Sequence, residues 1–283
     1  MPIGGVLTAM VTPFDADGRV NEAAAVALMH HLLTNGSDGV VIAGTTGEGA
    51  TLDDEEKCRL FELAVAECGD ATVIAGTGSN DTAHTVHLTE RATEIGVDAH
   101  LIVTPYYNKP NERGIMAHFQ AAAEVTDLPI IAYNIPSRCV VDIPNELLRE
   151  LAATIPNVQA VKQANNDNLE PIEGMDLLAG NDDVLARTME LGGTGGICVA
   201  SHLFGNEMKR IVEEPESRQE IHQSLADAFE ALTVTTNPMP IKAAMRMAGH
   251  EVGGFRLPMV DLSGEEEAVV RAMLERYSLL SAV

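Results

Sequence analysis

Lys162 lies in the stretch "NVQAVKQANND" (residues 157–167), directly after Val158, Ala160 and Val161 and just before a turn rich in Asn and Asp. An apolar run of this kind reads as a buried strand, so the chain ends a buried strand on an ammonium group. Removing that charge from water costs several kcal/mol unless it is paired, and a buried amine gives up its proton more readily than a solvated one. A neutral primary amine is a nucleophile for a ketone. The other four lysines, Lys57, Lys109, Lys209 and Lys242, fall in helical or polar segments where a solvated side chain is expected. The plainer alternative for Lys162 is an ion pair with a buried acid, for which Glu48 is the candidate.

Other groups suited to carbonyl chemistry have a similar placement. The chain has no tryptophan and four tyrosines, yet Tyr106, Tyr107 and Tyr133 fall at the ends of two neighbouring apolar runs. One such tyrosine alone reads equally well as a packed ring with its hydroxyl on a carbonyl. Thr45 and Thr46 follow a further run, and Arg138, in "YNIPSRCVVDIP", follows the run that carries Tyr133. A guanidinium there is able to grip a carboxylate with two parallel hydrogen bonds, although loop arginines also commonly form surface salt bridges.

Eight short apolar runs must position these groups: residues 5–12, 39–44, 71–76, 99–104, 129–134, 158–163, 176–181 and 196–201. Amphipathic stretches with 3.6-residue periodicity separate them. Strand then helix, eight times over, is the pattern of a (β/α)8 barrel, an α/β TIM barrel in which chemistry sits at the C-terminal ends of the strands. A doubly wound open sheet fits less well: no GxGxxG follows the first run, and "LGGTGG" (191–196) precedes a strand instead of opening a helix. Those glycines read as a tight turn into the last strand. Beyond about residue 205 the pattern is helical only, with segments at 217–232, 240–249 and 263–280. The expected organisation is a catalytic barrel over residues 1–217 and a C-terminal helical region over 218–283.

Composition removes several classes of function. A net charge of −24, from 42 acidic and 18 basic residues, disfavours nucleic acid and anionic membranes as partners. It also means that any site for an anion must supply its own positive charge. No apolar run has the ~18 to 20 residues of a membrane span, and the opening residues lack the charged start of a signal peptide, so a cytoplasmic location is expected. Cys58, Cys68, Cys139 and Cys198 show no metal-binding spacing and are expected to be free thiols. His84 and His87 read as a solvated helical face, and no metal site is expected.

Together, "GVLTAMVTPFDADGRV", "GTTGEGATL", "GTGSN", "TPYYNKP", "YNIPSR", the "VK" before a polar turn, "NPMPIKAAM" and "RLPM" resemble the dihydrodipicolinate synthase and N-acetylneuraminate lyase superfamily of class I, Schiff-base aldolases. The "YNIPSR" stretch resembles its dihydrodipicolinate synthase branch. This resemblance implies that Lys162 forms an imine with pyruvate, whose carboxylate is held by Thr46 and the backbone at Ile197. It implies that Tyr133 donates and accepts protons in a relay with Thr45 and Tyr107. Arg138 would bind the carboxylate of the second substrate, L-aspartate 4-semialdehyde, to give 4-hydroxy-tetrahydrodipicolinate for lysine and diaminopimelate biosynthesis. It further implies a homotetramer, a dimer of dimers, in which Tyr107 reaches into a neighbouring subunit. No cofactor or metal is expected, since the iminium is itself the electron sink.

The sequence departs from the family pattern in places. Cys139 and Val140 stand where Thr-Gly is usual, and Gln163 replaces the acid after the lysine. These changes keep open a related pyruvate-dependent aldolase or dehydratase acting on a sugar acid. A non-catalytic barrel kept for binding is the third reading, opposed by the presence of Lys162, Tyr133, Thr45 and Arg138. Lysine-inhibited members carry a glutamate where His84 stands and histidines where Asp54 and Lys57 stand. Weak or absent inhibition by L-lysine is therefore expected, although Asn80 and Tyr106 are kept.

Overall fold

The computed structural model describes residues 3–281. Eight parallel strands close into one barrel in sequence order: β1 (Gly5–Ala9), β2 (Gly39–Ile42), β3 (Thr72–Gly76), β4 (Ala99–Val103), β5 (Ile130–Asn134), β6 (Val158–Gln163), β7 (Asp176–Ala179) and β8 (Gly195–Cys198). Each observed strand lies within, or one residue from, an apolar run read from the sequence. The trailing residues of most runs belong to the loops at the C-terminal rim. Closure is made by β8 against β1, with Leu7 opposite Ile197. Gly195 permits that contact, since a Cβ there would stand 2.1 Å from the Gly5 carbonyl oxygen. Gly192, at φ +86°, makes the turn expected of "LGGTGG".

Helices α1 (Glu22–Thr34), α2 (Asp54–Glu67), α3 (Thr82–Ile95), α4 (Glu112–Ala123), α5 (Pro136–Cys139), α6 (Asn145–Thr154), α7 (Leu185–Glu190) and α8 (Ser201–Glu213) alternate with the strands. Short polar side chains start several of them where the chain leaves the rim: Asn21, Asp53, Asp81 and Asn111 each accept a backbone N–H of the first turn. Side-chain alternation along the strands makes two cores. Leu7, Val41, Ile74, Leu101, Ile131, Leu178 and Ile197 fill the barrel interior, while the opposite strand faces pack against the helices.

The chain continues as α9 (Arg218–Ser224), α10 (Ala226–Ala231), α11 (Met239–Met247) and α12 (Gly264–Arg276). The first expected C-terminal helix is thus two, divided at Leu225 (φ −98°, ψ 0°). The 217/218 division falls at the start of α9, and residues 1, 2, 282 and 283, which the two expected ranges include, lie outside the described residues.

This C-terminal part reaches back to the rim. Arg256 donates to the carbonyls of Gly18 and Thr51 and to the Glu56 carboxylate, and its backbone N–H meets Glu48 Oε2 at 3.1 Å. Lys242, on α11, is fully buried and bonds Glu48 Oε1 at 2.7 Å. The expectation of a solvated Lys242 is therefore corrected, and so is that for Lys57, which is only 9% exposed. Lys242 lies within an unbroken buried run from Pro240 to Met245, with the Phe14 ring 4.2 Å from its nitrogen.

Candidate active site

Tyr133 and Lys162 are direct neighbours across β5 and β6. Both point into the mouth of the barrel, both are buried, and the Lys162 nitrogen stands 4.2 Å from the centre of the Tyr133 ring. The acid weighed as a partner for Lys162, Glu48, is committed to Lys242. No carboxylate among the described residues lies within ion-pairing reach of the Lys162 amine. Burial of Lys242 pushes its ammonium down to about 8, against the opposing hydrogen bond and charge of Glu48.

A cavity of about 820 Å³ opens over Lys162 and is walled by Thr45, Thr46, Tyr133 and Arg138. Thr46 is buried and accepts a hydrogen bond from Asn237 Nδ2 at 2.9 Å, which leaves the Thr46 hydroxyl proton free for an acceptor in the cavity. Arg138 is exposed on α5, and its Nη2 donates to the Asn237 carbonyl at 3.0 Å. Asn237 thus bridges a hydroxyl and a guanidinium that face the same space.

A second cavity, of about 390 Å³, shares the wall formed by Thr45, Tyr133, Arg138 and Asn237, and runs away from Lys162 toward α2 and α3. Backbone strain is concentrated on this rim. Of the six non-glycine residues with positive φ among the described residues, five (Ala43, Glu48, Tyr107, Lys109 and Val140) lie on its loops, as is common where loops are held for function.

Three of the four residues expected to be catalytic, Lys162, Tyr133 and Thr45, come together at the larger cavity. The fourth, Tyr107, lines neither cavity and is 88% exposed, with its backbone at φ +73°. No hydrogen bond joins Thr45, Tyr133 and Tyr107 within the chain. Of the expected binding residues, Thr46 and Arg138 wall the cavity, whereas Ile197 sits in β8 with its side chain in the barrel interior and lines neither cavity.

Gln163, Cys139 and Val140 stand outside both cavities, whereas His84 and Lys57 line the smaller one and Asn166, in the turn after Gln163, lines the larger. Gln163 alternates with Lys162 along β6, so its side chain points to the other side of the strand. Its Oε1 accepts from Asn134 Nδ2 at 3.1 Å and from the Asn165 N–H at 3.0 Å. The charge of that network is Asp142, which accepts from Asn134, Asn165 and Asn168. Val140 ends α5 at φ +62° and is 66% exposed, and Cys139 is buried.

Sequence reasoning missed Asp182. It lines the larger cavity and accepts the backbone N–H groups of Val199 and Ala200 at 2.9 and 3.1 Å. Burial pushes its carboxyl above the usual range, opposed by those N–H groups and by the charge of Lys162. The signal for it was the acidic pair after the seventh apolar run. Asn237 and Lys242 were also missed, although both lie in the "NPMPIKAAM" stretch that carried the resemblance. His84 is half-buried and donates to Asp54 at 2.8 Å, so it is not simply solvated. No cluster of three metal-ligating side chains occurs among the described residues.

Comparison with known proteins agrees with this arrangement. Curated 4-hydroxy-tetrahydrodipicolinate synthases of Listeria monocytogenes and Bacillus subtilis are each 43% identical to the chain. The first alignment covers 98% of this chain and 100% of the relative, the second 94% and 96%. Among solved structures, DHDPS from Cyanidioschyzon merolae with lysine bound superposes with a TM-score of 0.94 at 40% identity, covering 98% of this chain and 99% of that one. Dihydrodipicolinate synthase from Aquifex aeolicus gives 0.95 at 39% identity, over 99% and 100%. The model of the dihydrodipicolinate synthetase family matches residues 2–277, and the chain belongs to that family.

Proposed function

We propose that the chain condenses pyruvate with L-aspartate 4-semialdehyde to give 4-hydroxy-tetrahydrodipicolinate. The observation that carries this reading is an amine with no ion-paired acid among the described residues, Lys162, set beside a phenol in a cavity whose wall holds Thr46 and Arg138. The Lys162 nitrogen adds to the pyruvate ketone, and loss of water leaves an iminium. That cation acidifies the methyl group, and removal of a proton yields an enamine. The enamine carbon forms a bond to the aldehyde carbon of the second substrate. The amino group of the product then attacks the iminium carbon, closing the ring and releasing Lys162, so that one water is lost overall.

In this scheme Tyr133 moves protons at the carbinolamine and at the new alkoxide, with Thr45 and a Tyr107 from another subunit as its relay. Thr46 and the backbone at Ile197 hold the pyruvate carboxylate, and Arg138 holds that of the semialdehyde. A strained, solvent-directed Tyr107 suits a residue that completes a neighbour's site, and the assembly we propose is a homotetramer built as a dimer of dimers. Light scattering that found only monomer would remove that role. On this reading the barrel of residues 1–217 carries the chemistry and the helices of 218–283 brace its rim. The four cysteines are free and buried, no helix among the described residues is long and apolar enough to cross a membrane, and we place the enzyme in the cytoplasm.

Gln163 and Val140 had favoured a sugar-acid aldehyde as second substrate. Both lie outside the cavities, which removes the basis of that alternative. The deciding experiment is incubation with pyruvate followed by borohydride reduction, read by intact mass and peptide mapping. A reduced pyruvyl adduct on Lys162, lost in Lys162→Met, is expected. No adduct at Lys162 would defeat the reading, and faster turnover of a sugar-acid aldehyde than of aspartate semialdehyde would redirect it.

A further inference from the structure

The two strands that carry Tyr133 and Lys162 do not share one continuous register. Between Ile130 and Ile131 the pairing of β5 with β6 shifts, because the exposed Gln159 stands as an extra residue on β6. A slip of one residue higher up would replace Lys162 at the cavity by a neighbour whose side chain belongs to the other face. The upper register is held by the next pair, Asn134 opposite Gln163, both fully buried. Asn134 Nδ2 donates to Gln163 Oε1 at 3.1 Å, and the Ala164 N–H donates to the Asn134 carbonyl at 2.9 Å. From the β7 side, the Gly180 N–H donates to the Gln163 carbonyl at 2.8 Å.

The same amide closes the loop that carries Arg138. Asn134 Nδ2 also donates to Asp142 Oδ1 at 2.7 Å, and its Oδ1 accepts the Ile143 N–H at 3.0 Å. The segment between Asn134 and Ile143 runs through α5 and the strained Val140, so one side chain ties its two ends together. Asp142 is fixed in turn by Asn165 Nδ2 at 3.1 Å and Asn168 Nδ2 at 2.7 Å, and Gln163 Oε1 takes the Asn165 N–H at 3.0 Å. The polar turn after Lys162 is thereby bound to the Arg138 loop by neutral donors around one carboxylate. A network in which every member is bonded favours one arrangement over its neighbours. None of its side chains lines either cavity, so it acts on the site through the backbone.

We propose that Asn134 is a positioning residue for the reaction: through Gln163 its amide holds Tyr133 and Lys162 in register, and through Asp142 it sets the Arg138 loop against that pair. Two branches from one buried side chain then fix the separation of the imine nitrogen from the guanidinium. Bond formation between a lysine-bound ketone and a second substrate gripped by its carboxylate depends on that separation being held. The roles of Lys162 and Arg138 in this inference rest on the condensation proposed above, whereas the network itself does not.

Variants of the full chain separate the two branches. Asp142→Asn leaves one acceptor oxygen for three amide donors; it should raise the Michaelis constant for aspartate semialdehyde roughly tenfold, with pyruvyl adduct formation on Lys162 within about twofold of wild type. Gln163→Met removes the acceptor of the strand branch; it should slow adduct formation and lower kcat roughly tenfold, with that Michaelis constant within about twofold. Gln163→Glu keeps an acceptor oxygen and should retain the wild-type rates. Hydrogen exchange should quicken at the amides of residues 138–140 in Asp142→Asn and at those of Ala164 and Gly180 in Gln163→Met. A merely structural role would lower the melting temperature and leave the constants of the folded enzyme unmoved, or move all of them in one ratio. Either result overturns the proposal, as does Gln163→Glu behaving like Gln163→Met. A wild-type chain that forms no pyruvyl adduct would defeat the condensation instead, and the network would then be judged by exchange alone, unchanged protection in both variants overturning it.

Discussion

Lys242→Met provides the sharpest test of how the C-terminal helices support the site. The side chains of Lys242 and Glu48 are 0% and 2% exposed and are joined at 2.7 Å. Deleting the ammonium leaves a buried carboxylate whose remaining partner is the Arg256 N–H at 3.1 Å. Breaking a buried ion pair from one side costs about 3 to 5 kcal/mol, which corresponds to a fall in melting temperature of roughly 5 to 8 °C for a chain of this size. Glu48 is also held at φ +53° and closes the loop that carries Thr45 and Thr46, so the Michaelis constant for pyruvate should rise in the same variant.

The double variant Glu48→Gln/Lys242→Met removes both charges and should be more stable than Lys242→Met alone, since no unpaired charge remains. A double-mutant cycle by thermal and urea denaturation supplies the coupling. Two results would refute the reasoning: a cost of less than about 1 kcal/mol for Lys242→Met, or single effects that simply add in the double variant. The first would mean that the pair is solvated, the second that its members act independently.

Other perturbations address neighbouring features. Arg138→Ala should slow turnover with aspartate semialdehyde far more than adduct formation with pyruvate, as measured by coupled assay and borohydride trapping; equal damage to both steps would contradict its role. Val140→Gly should raise stability by about 1 kcal/mol, because a β-branched residue at φ +62° is strained and glycine is not; a loss of stability in urea melts would show that the valine side chain earns its place. His100, His118 and His202 are each pushed down to about 4 by burial. Below pH 6.5 the unfolded chain binds protons that the folded chain refuses, so their contribution is complete above that value and is lost as pH falls toward 4. The loss should reach roughly 2 kcal/mol per histidine by pH 5, and an unchanged urea midpoint between pH 7 and pH 5 would exclude it.

The sequence by itself determined the barrel and the identity of its working groups. Eight apolar runs with amphipathic segments between them leave a closed parallel sheet as the best-fitting arrangement, and the residues that trail most runs are those that occupy the rim. Lys162 and Tyr133 were legible because a lysine ending an apolar strand and a cluster of tyrosines at neighbouring strand ends are local signals. What a side chain meets across the fold is not local. Glu48 finds Lys242 across 194 residues of chain, and Asn237 joins Thr46 and Arg138 from the C-terminal region. Gln163, adjacent in sequence to the lysine, faces away from the cavity because side chains alternate along a strand. Only the tertiary structure decided these pairings. Burial, and with it the cost of every unpaired charge, is set by elements far apart in sequence, which is why Lys57 and Lys242 read as solvated until the helices around them were in place.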